Sequence, residues 1–284
     1  MIRRDIQSKD GAPAWLLISQ CAHAQLSGEL ARAWSEEFSE EVLAGIAHHD
    51  DGWSEWEAAP QFDAQGRPLS FMELAIADAL AIWDRSIAAA RSCGPLAGAI
   101  VAGHFVGLAR GSEQAAEPHA EKWIRDMSQR RSDWLAEWQS VSPSNTLGAA
   151  ERAQRMLLAA DLLSLWLCCD GPVTGKDAAS HVNVEMQDRT ATILGKYRFS
   201  THDPSADCSQ PPHSHVAAGS GASKIAWEGS LRPWPLAPDS LQLAAPALAV
   251  PAAKYSSASE LANAGWPVRL EWQLQKTLLH AAEC

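Results

Sequence analysis

The sequence has no pair of cysteines with C-x-x-C spacing and no complete glycine-rich loop for phosphate or dinucleotide binding. It also has no apolar run near the roughly 20 residues that cross a membrane. Its first residues contain charges but lack the apolar core of a signal peptide. We therefore expect a cytoplasmic protein with no membrane partner, whose six cysteines are reduced thiols.

Positive charge is also scarce. The chain of 284 residues has 23 Lys and Arg against 34 Asp and Glu, a formal net charge of −11. Nucleic-acid binding depends on neutralising phosphates with basic side chains, so this balance argues against a nucleic-acid partner. It leaves open a small phosphorylated ligand, because a bound cation can reverse the local field. The sequence does not indicate the oligomeric state.

Helical periodicity is the main feature that is present. From about residue 20 to residue 169, apolar residues recur with helical spacing. Two helix starts stand out, a capping box from Ser70 to Glu73 and Pro95 in a first turn. These patterns predict a mainly α-helical fold, with residues 1–170 forming a helical bundle.

The texture changes after Cys169. The segment "VRLEWQLQ" alternates apolar and polar residues, which is typical of a β-strand. Residues 200–223 are rich in Pro, Ser and Gly, which predicts a mobile loop. We interpret residues 171–284 as a small antiparallel β-rich extension that packs on the bundle.

The segment "AGIAHHDDGW" has four ionisable residues in a row. On a helical wheel that advances about 100° per residue, His49 and Asp50 fall on the apolar stripe. His48 and Asp51 fall outside it. The run therefore divides into an inward pair and a flanking pair.

Three other helical segments have an ionisable residue on an apolar face. His23 stands above two leucines, and His104 shares a face with aliphatic residues. Asp161 is the one charged residue in "MLLAADLLSLWLCC", where it must be protonated, paired with a cation such as Arg155, or bound to a metal. A single buried histidine is usually an ordinary core residue. Together the set offers imidazoles and carboxylates suited to Mn, Fe or Zn, from His23, His49, Asp50, His104 and Asp161.

The order H…HD…H…D resembles the HD-domain superfamily of metal-dependent phosphohydrolases, with "AHHDDGW" similar to its central element. More closely, "ISQCAHAQLSGELARAW", "HHDDGWSEWEAAPQFDAQGRPLSF" and "RPWPL" resemble an uncharacterised bacterial family, domain of unknown function 3891. The first resemblance implies an HD-like helical bundle. The second covers nearly the whole chain and implies no activity.

The HD resemblance also implies roles for single residues. His23, His49, Asp50 and Asp161 would be metal ligands, and His104 a fifth ligand or a substrate contact. Trp53 stands where many HD phosphohydrolases have a lysine. The spare histidine of the middle region, His119, lies in a polar segment typical of a surface, so we expect one metal ion rather than two.

Hydrolysis needs a proton carrier and a group that binds the anion. Asp51 or His48 is the candidate for the first, because both lie beside the ligands but off their face. Arg67 and Arg85 are candidates for the second, although a solvated surface charge explains either arginine equally well. Three further residues are candidates for lining the mouth of the pocket: Trp53, Trp56 and Glu57. A purely structural role explains the two tryptophans equally well.

Three functions follow. The first is an HD-type phosphohydrolase that acts on a small phosphorylated molecule through a metal-activated water. The second is an HD-fold di-iron oxygenase, which requires a second metal and a sixth ligand. The third is a non-catalytic module that binds a metal or a ligand.

Overall fold

The computed structural model describes residues 1–8, 10–171, 190–193, 197–202 and 228–276. Two short 3-10 helices, Asp51–Trp53 and Phe71–Glu73, accompany the elements of the fold. In chain order these are β1 Ile2–Gln7, β2 Pro13–Ile18, α1 Gln20–Arg32, α2 Glu40–Ala47, α3 Ser54–Ala58, α4 Ile76–Cys93, α5 Pro95–Gly111, α6 Pro118–Val141, α7 Leu147–Cys169, β3 Thr190–Ile193, β4 Tyr197–His202, β5 Glu228–Arg232, β6 Ser240–Pro251, α8 Ala258–Ala264 and β7 Trp266–Gln275.

The predicted helical region is confirmed. Helix α1 begins at Gln20, α7 ends at Cys169, and α5 has Pro95 in its first turn. Helix α1 packs against α2 and α7, while α5 contacts α2, α4, α6 and α7. No helix within the described residues combines the length and apolarity needed to cross a bilayer.

Close contact between α1 and α2 depends on a missing side chain. A Cβ atom on Gly28 would lie 2.6 Å from the Cβ of Ala47, so any larger residue would push the two helices apart. This contact lies one to two turns from His23 and next to the end of α2. It thus sets the distance between two of the segments that carry the ionisable residues.

The capping box has a different role from the one expected. Ser70 and Glu73 do form it, but it caps a 3-10 turn, and α4 begins only at Ile76. The Glu73 carboxylate also accepts two hydrogen bonds from Arg3 in β1, at 3.0 and 2.9 Å. This long-range ion pair ties the turn to the sheet instead of to the helix.

The main sheet combines both ends of the described chain. Its antiparallel order is β1-β2-β6-β7, and a separate three-stranded sheet has the order β3-β4-β5. The sequence predicts β7 but misses β1 and β2, so the β-structure is not confined to the C-terminal region. Strand β2 is buried on both faces, and its continuous apolar run lacks the alternation that marks a half-exposed strand.

Two sequence predictions remain untested. The mobile loop expected at 200–223 falls, from residue 203 onward, outside the described residues. The domain boundary near residue 170 stays a prediction.

Candidate metal centre

Four segments of the bundle converge on one point. His23 comes from α1, His104 from α5 and Asp161 from α7, while His49 and Asp50 follow the end of α2. Helix α2 ends at Ala47 with His48 as its C-cap residue, so the inward pair lies on the turn beyond the helix. The 3-10 helix Asp51–Trp53 follows almost at once, so the chain keeps a helix-like path. The helical wheel therefore still predicts which way the side chains of His49 and Asp50 point.

The cluster is compact. The Nε2 atom of His23 lies 3.0 Å from Oδ1 of Asp161, and the Nε2 atom of His49 lies 3.3 Å from the same oxygen. One ligand atom each from His23, His49 and Asp161 lie within 4.8 Å of one another. These three residues therefore form a largely buried group that can hold a metal ion.

Asp50 and His104 lie beside this group. The Oδ2 atom of Asp50 is 3.7 Å from Nε2 of His23 and 3.5 Å from Nε2 of His49. The ring centroid of His104 is 5.7 Å from that of His49. Asp50 is thus close enough to join the ligand set, whereas His104 stands one layer away.

The orientation of His49 suits a metal ligand. Its Nδ1 donates a hydrogen bond to the carbonyl oxygen of Ile46 at 2.7 Å, which leaves the lone pair on Nε2. That Nε2 atom is buried and has no hydrogen-bond partner among the described residues. A buried ring nitrogen that faces two carboxylates without a hydrogen bond is the position that a cation fits.

His23 is held by serines. Its Nδ1 lies 2.8 Å from the hydroxyl oxygen of Ser164, which in turn lies 2.7 Å from the hydroxyl of Ser27. A metal-bound imidazole is usually supported by a hydrogen bond at its second ring nitrogen, and the hydroxyl of Ser164 provides that contact here. No sequence pattern singles out Ser164, although its position three residues after Asp161 puts it on the same helical face.

The electrostatics of the cluster favour a cation. Burial lowers the pKa of His49, but the charges of Asp50 and Asp161 outweigh burial and raise that pKa to about 9. Burial raises the pKa of Asp161, but the hydrogen bond with His23 and the close approach of the His49 ring hold it well below its usual range. Without a metal, the buried carboxylate is therefore ionised and paired with an imidazolium. Arg155, the alternative partner, lies beside Glu151 instead.

Gly52 fixes the turn that carries His49 and Asp50. A Cβ atom there would lie 2.3 Å from the carbonyl oxygen of Ile82 and 2.5 Å from the backbone nitrogen of Ser86, both in α4. The Gly52 N–H donates to the Ser86 hydroxyl at 3.1 Å. The glycine of the motif therefore has a packing reason, because only glycine lets the turn lie against the backbone of α4.

The flanking pair forms a separate contact. The Nδ1 atom of His48 lies 2.7 Å from Oδ2 of Asp51, and their side chains are 42% and 34% exposed. Both therefore lie off the buried cluster, in contact with solvent.

The two predicted anion-binding arginines have other partners. Arg67 pairs with Asp63 at 2.6 Å, and Arg85 donates to the carbonyl oxygen of Gly52 at 3.2 Å. In the part of the chain that the structure describes, neither forms a hydrogen bond or ion pair with the cluster. His119 is exposed beside Glu117 and does not supply a second metal site.

The residues expected at a pocket mouth lie in the core. Trp53 is 3% exposed and packs edge-on against Trp56, with ring centroids 5.7 Å apart. Glu57 accepts a hydrogen bond from the backbone N–H of Gln20 at 2.7 Å, next to the amino group of Met1. The two indoles pack with residues of the sheet, since large aromatic rings gain most from burial, and Glu57 ties the start of α1 to the first residue of the chain.

The fold and this cluster define a mainly helical protein with a four-stranded antiparallel sheet and a candidate metal centre. The model of the family "Protein of unknown function (DUF3891)" matches residues 1–252, so the chain belongs to that family. No curated protein and no solved structure matches the chain.

Proposed function

We propose that the protein is an HD-type metal-dependent phosphohydrolase that acts on a small phosphorylated molecule. One divalent ion would be held by His23, His49 and Asp161, with Asp50 as a further ligand. The observation that carries this proposal is the buried Nε2 of His49, which lies beside two carboxylates and has no hydrogen bond within the described part of the chain.

The donor atoms indicate the class of metal. Imidazole nitrogens with carboxylate oxygens suit Mn, Fe or Zn. The thiol of Cys21 donates to the backbone oxygen of Asp50 at 3.6 Å, and burial together with the charge of Glu57 raises its pKa to about 12. Cys21 therefore stays a thiol and is not proposed as a ligand. When bound, such an ion lowers the pKa of a coordinated water and polarises a phosphoryl oxygen.

The residues of the chain would position the reactants and move protons. Asp50 and Asp161 would hold the ion, and their remaining carboxylate oxygens would orient a water by accepting its hydrogen bonds. Burial lowers the pKa of His104, so its ring is neutral near pH 7. A neutral ring has one donor and one acceptor nitrogen and can form a hydrogen bond with the substrate. The exposed His48, oriented by Asp51, is the proposed proton carrier between the site and solvent.

Metal analysis of the purified protein, followed by hydrolysis assays, tests this function. We expect one Mn, Fe or Zn per chain and release of p-nitrophenol from p-nitrophenyl phosphate or bis(p-nitrophenyl) phosphate. Chelation and His49→Ala should both abolish this release, whereas His119→Gln should leave it unchanged. Two irons with oxygen consumption would replace the proposal by the di-iron oxygenase. A protein without metal, or one with metal that hydrolyses neither ester, would replace it by the binding module.

A further inference from the structure

A second polar region lies on the other side of His104. A cleft of about 410 Å³ opens between α5, α6 and α7. His104 lines it, is 5% exposed and has a buried Nδ1 without a hydrogen-bond partner among the described residues. The same ring lies 5.7 Å from that of His49. His104 therefore lines the cleft and also contacts the ring of His49, a residue of the cluster.

Two arginines give this cleft its charge. Arg131 donates from Nε to the carbonyl oxygen of Ala99 at 3.2 Å, and Arg110 donates to the Ser128 hydroxyl at 3.3 Å. Across the side chains that the structure describes, no carboxylate lies within 4.0 Å of either guanidinium group. Each guanidinium has five N–H donors, so most of the donors of both arginines remain available to a ligand. The cleft is therefore locally positive in a protein whose net charge is −11.

Neighbouring residues shape the cleft. Gly107 lines it, and a Cβ atom added there would meet nothing within 4 Å. Gln154 lines the cleft too, and its Oε1 atom is buried without a hydrogen-bond partner among the described residues. Leu108 and Leu158 are 48% and 45% exposed in the same lining. The cleft thus combines cationic donors with an apolar rim.

We propose that this cleft binds the substrate, with Arg131 and Arg110 receiving a phosphate group and Leu108 and Leu158 contacting an apolar organic part. The inference rests on the proposed function and specifies its substrate class, a phosphate ester with an apolar group. Guanidinium groups bind phosphate through paired, charge-assisted hydrogen bonds, which makes these arginines better suited than Arg67, whose partner is Asp63.

Phosphate binding to chelator-treated protein tests the cleft without the metal. We expect equilibrium dialysis with radiolabelled inorganic phosphate to detect binding that weakens as ionic strength rises. Arg131→Gln and Arg110→Gln should each weaken the affinity about 10-fold, since each removes charge-assisted donors. Arg130→Gln is the matched control, because Arg130 is exposed on the same helix and does not line the cleft.

A second variant tests the space instead of the charge. Gly107→Leu should fill the cleft and reduce phosphate binding at least about 10-fold, while its better helix propensity keeps the protein folded. Gly111→Leu is the control, since a Cβ atom there also meets nothing within 4 Å but the residue lies outside the lining. If Arg131→Gln fails to fold without its bond to Ala99, then Arg110→Gln and Gly107→Leu decide the question.

The outcomes separate this inference from the proposed function. Absence of phosphate binding, or wild-type binding in Arg110→Gln and Gly107→Leu, overturns the cleft even if the protein contains metal and hydrolyses p-nitrophenyl phosphate. Conversely, a protein without metal that binds phosphate through these arginines overturns the hydrolase and leaves the cleft as an anion site.

Discussion

Two neighbouring pairs of the same residue types behave as opposites in this protein. The side chains of His49 and Asp50 are 0% and 8% exposed, whereas those of the adjacent His48 and Asp51 are 42% and 34% exposed. The first pair faces His23 and Asp161, and the second faces solvent and contacts itself. Residue type alone therefore does not define a metal centre, because the direction of the chain at the end of α2 decides which pair is buried.

The energetic consequences differ in the same way. When an imidazole and a carboxylate pair in contact with solvent, they give up part of their hydration for a contact that water and salt screen. Such a pair contributes about 0–1 kcal/mol to stability. A buried set pays a desolvation cost, and loss of one partner then typically costs about 3–5 kcal/mol. Substitutions in the two pairs should therefore have effects of different size on metal binding and on stability.

The largest difference should appear in metal affinity. His49→Ala removes a ring nitrogen that faces both carboxylates, so we expect affinity for Zn or Mn to fall more than about 100-fold, beyond the effect typical of outer residues. His48→Ala should keep wild-type affinity. Isothermal titration of chelator-treated proteins measures both. Loss of binding in His48→Ala with retention in His49→Ala would reverse the assignment of the two pairs.

The helical spacing of the residues is what allows the buried and the exposed pair to be told apart from the sequence. Ionisable residues on apolar faces identify His23, His104 and Asp161, and the wheel separates His49 from His48. Periodicity does not reveal β2, because a strand buried on both faces has no alternation.

Pairing and burial between distant segments are the other part that sequence patterns do not show. The burial of Trp53 depends on packing against the sheet, and Arg67 is taken up by Asp63. In the sequence, Arg131 is indistinguishable from the other charged residues of α6. Only the fold shows that it lines the same cleft as His104.

The second prediction concerns chelation and pH. In the metal-free protein the pKa of His49 is raised to about 9 against 6.5 for an ordinary histidine, so its stabilising contribution is complete below pH 6.5 and is lost as pH rises toward 9. Asp161 does not alter this range, because its lowered pKa affects stability only in acid. Between pH 6.5 and pH 8.5 the metal-free protein should lose about 2 kcal/mol, or roughly 4–8 °C in Tm.

Bound metal takes the place of that proton, and it binds more tightly at high pH because protons compete for its ligands. The drop in Tm caused by chelator should therefore be larger at pH 8.5 than at pH 6.5. His49→Gln should remove most of the pH dependence of the metal-free protein, and His119→Gln, which changes an exposed histidine, should retain it. Equal melting curves with and without chelator at both pH values would contradict a metal at this cluster.

The third prediction tests the turn that separates the pairs. Gly52→Ala places a methyl group against the backbone of α4 and should lower the free energy of unfolding by about 1–3 kcal/mol. Gly148→Ala is the matched control, because its nearest neighbour would be 3.9 Å away and the change should be neutral or stabilising. Urea denaturation of the metal-free proteins provides the comparison, and equal stability of the two variants would show that the turn does not need glycine.

The smallest expected effect tests whether support behind the ligands matters as well as burial. Ser164 contacts the Nδ1 of His23 and donates to the backbone oxygen of Asp161, so its hydroxyl orients one ligand and anchors the helix of another. Ser164→Ala should weaken metal affinity about 10-fold, at the lower end of the range for such residues, with the ligands still in place. Ser27→Ala removes another buried hydroxyl that reaches His23 through its backbone and through Ser164, and it should have a smaller effect. Titration of both variants with Zn at one pH gives the ratio directly. An equal loss in the two would mean that packing of the buried serines, and not the bond to the imidazole ring, is what the cluster requires.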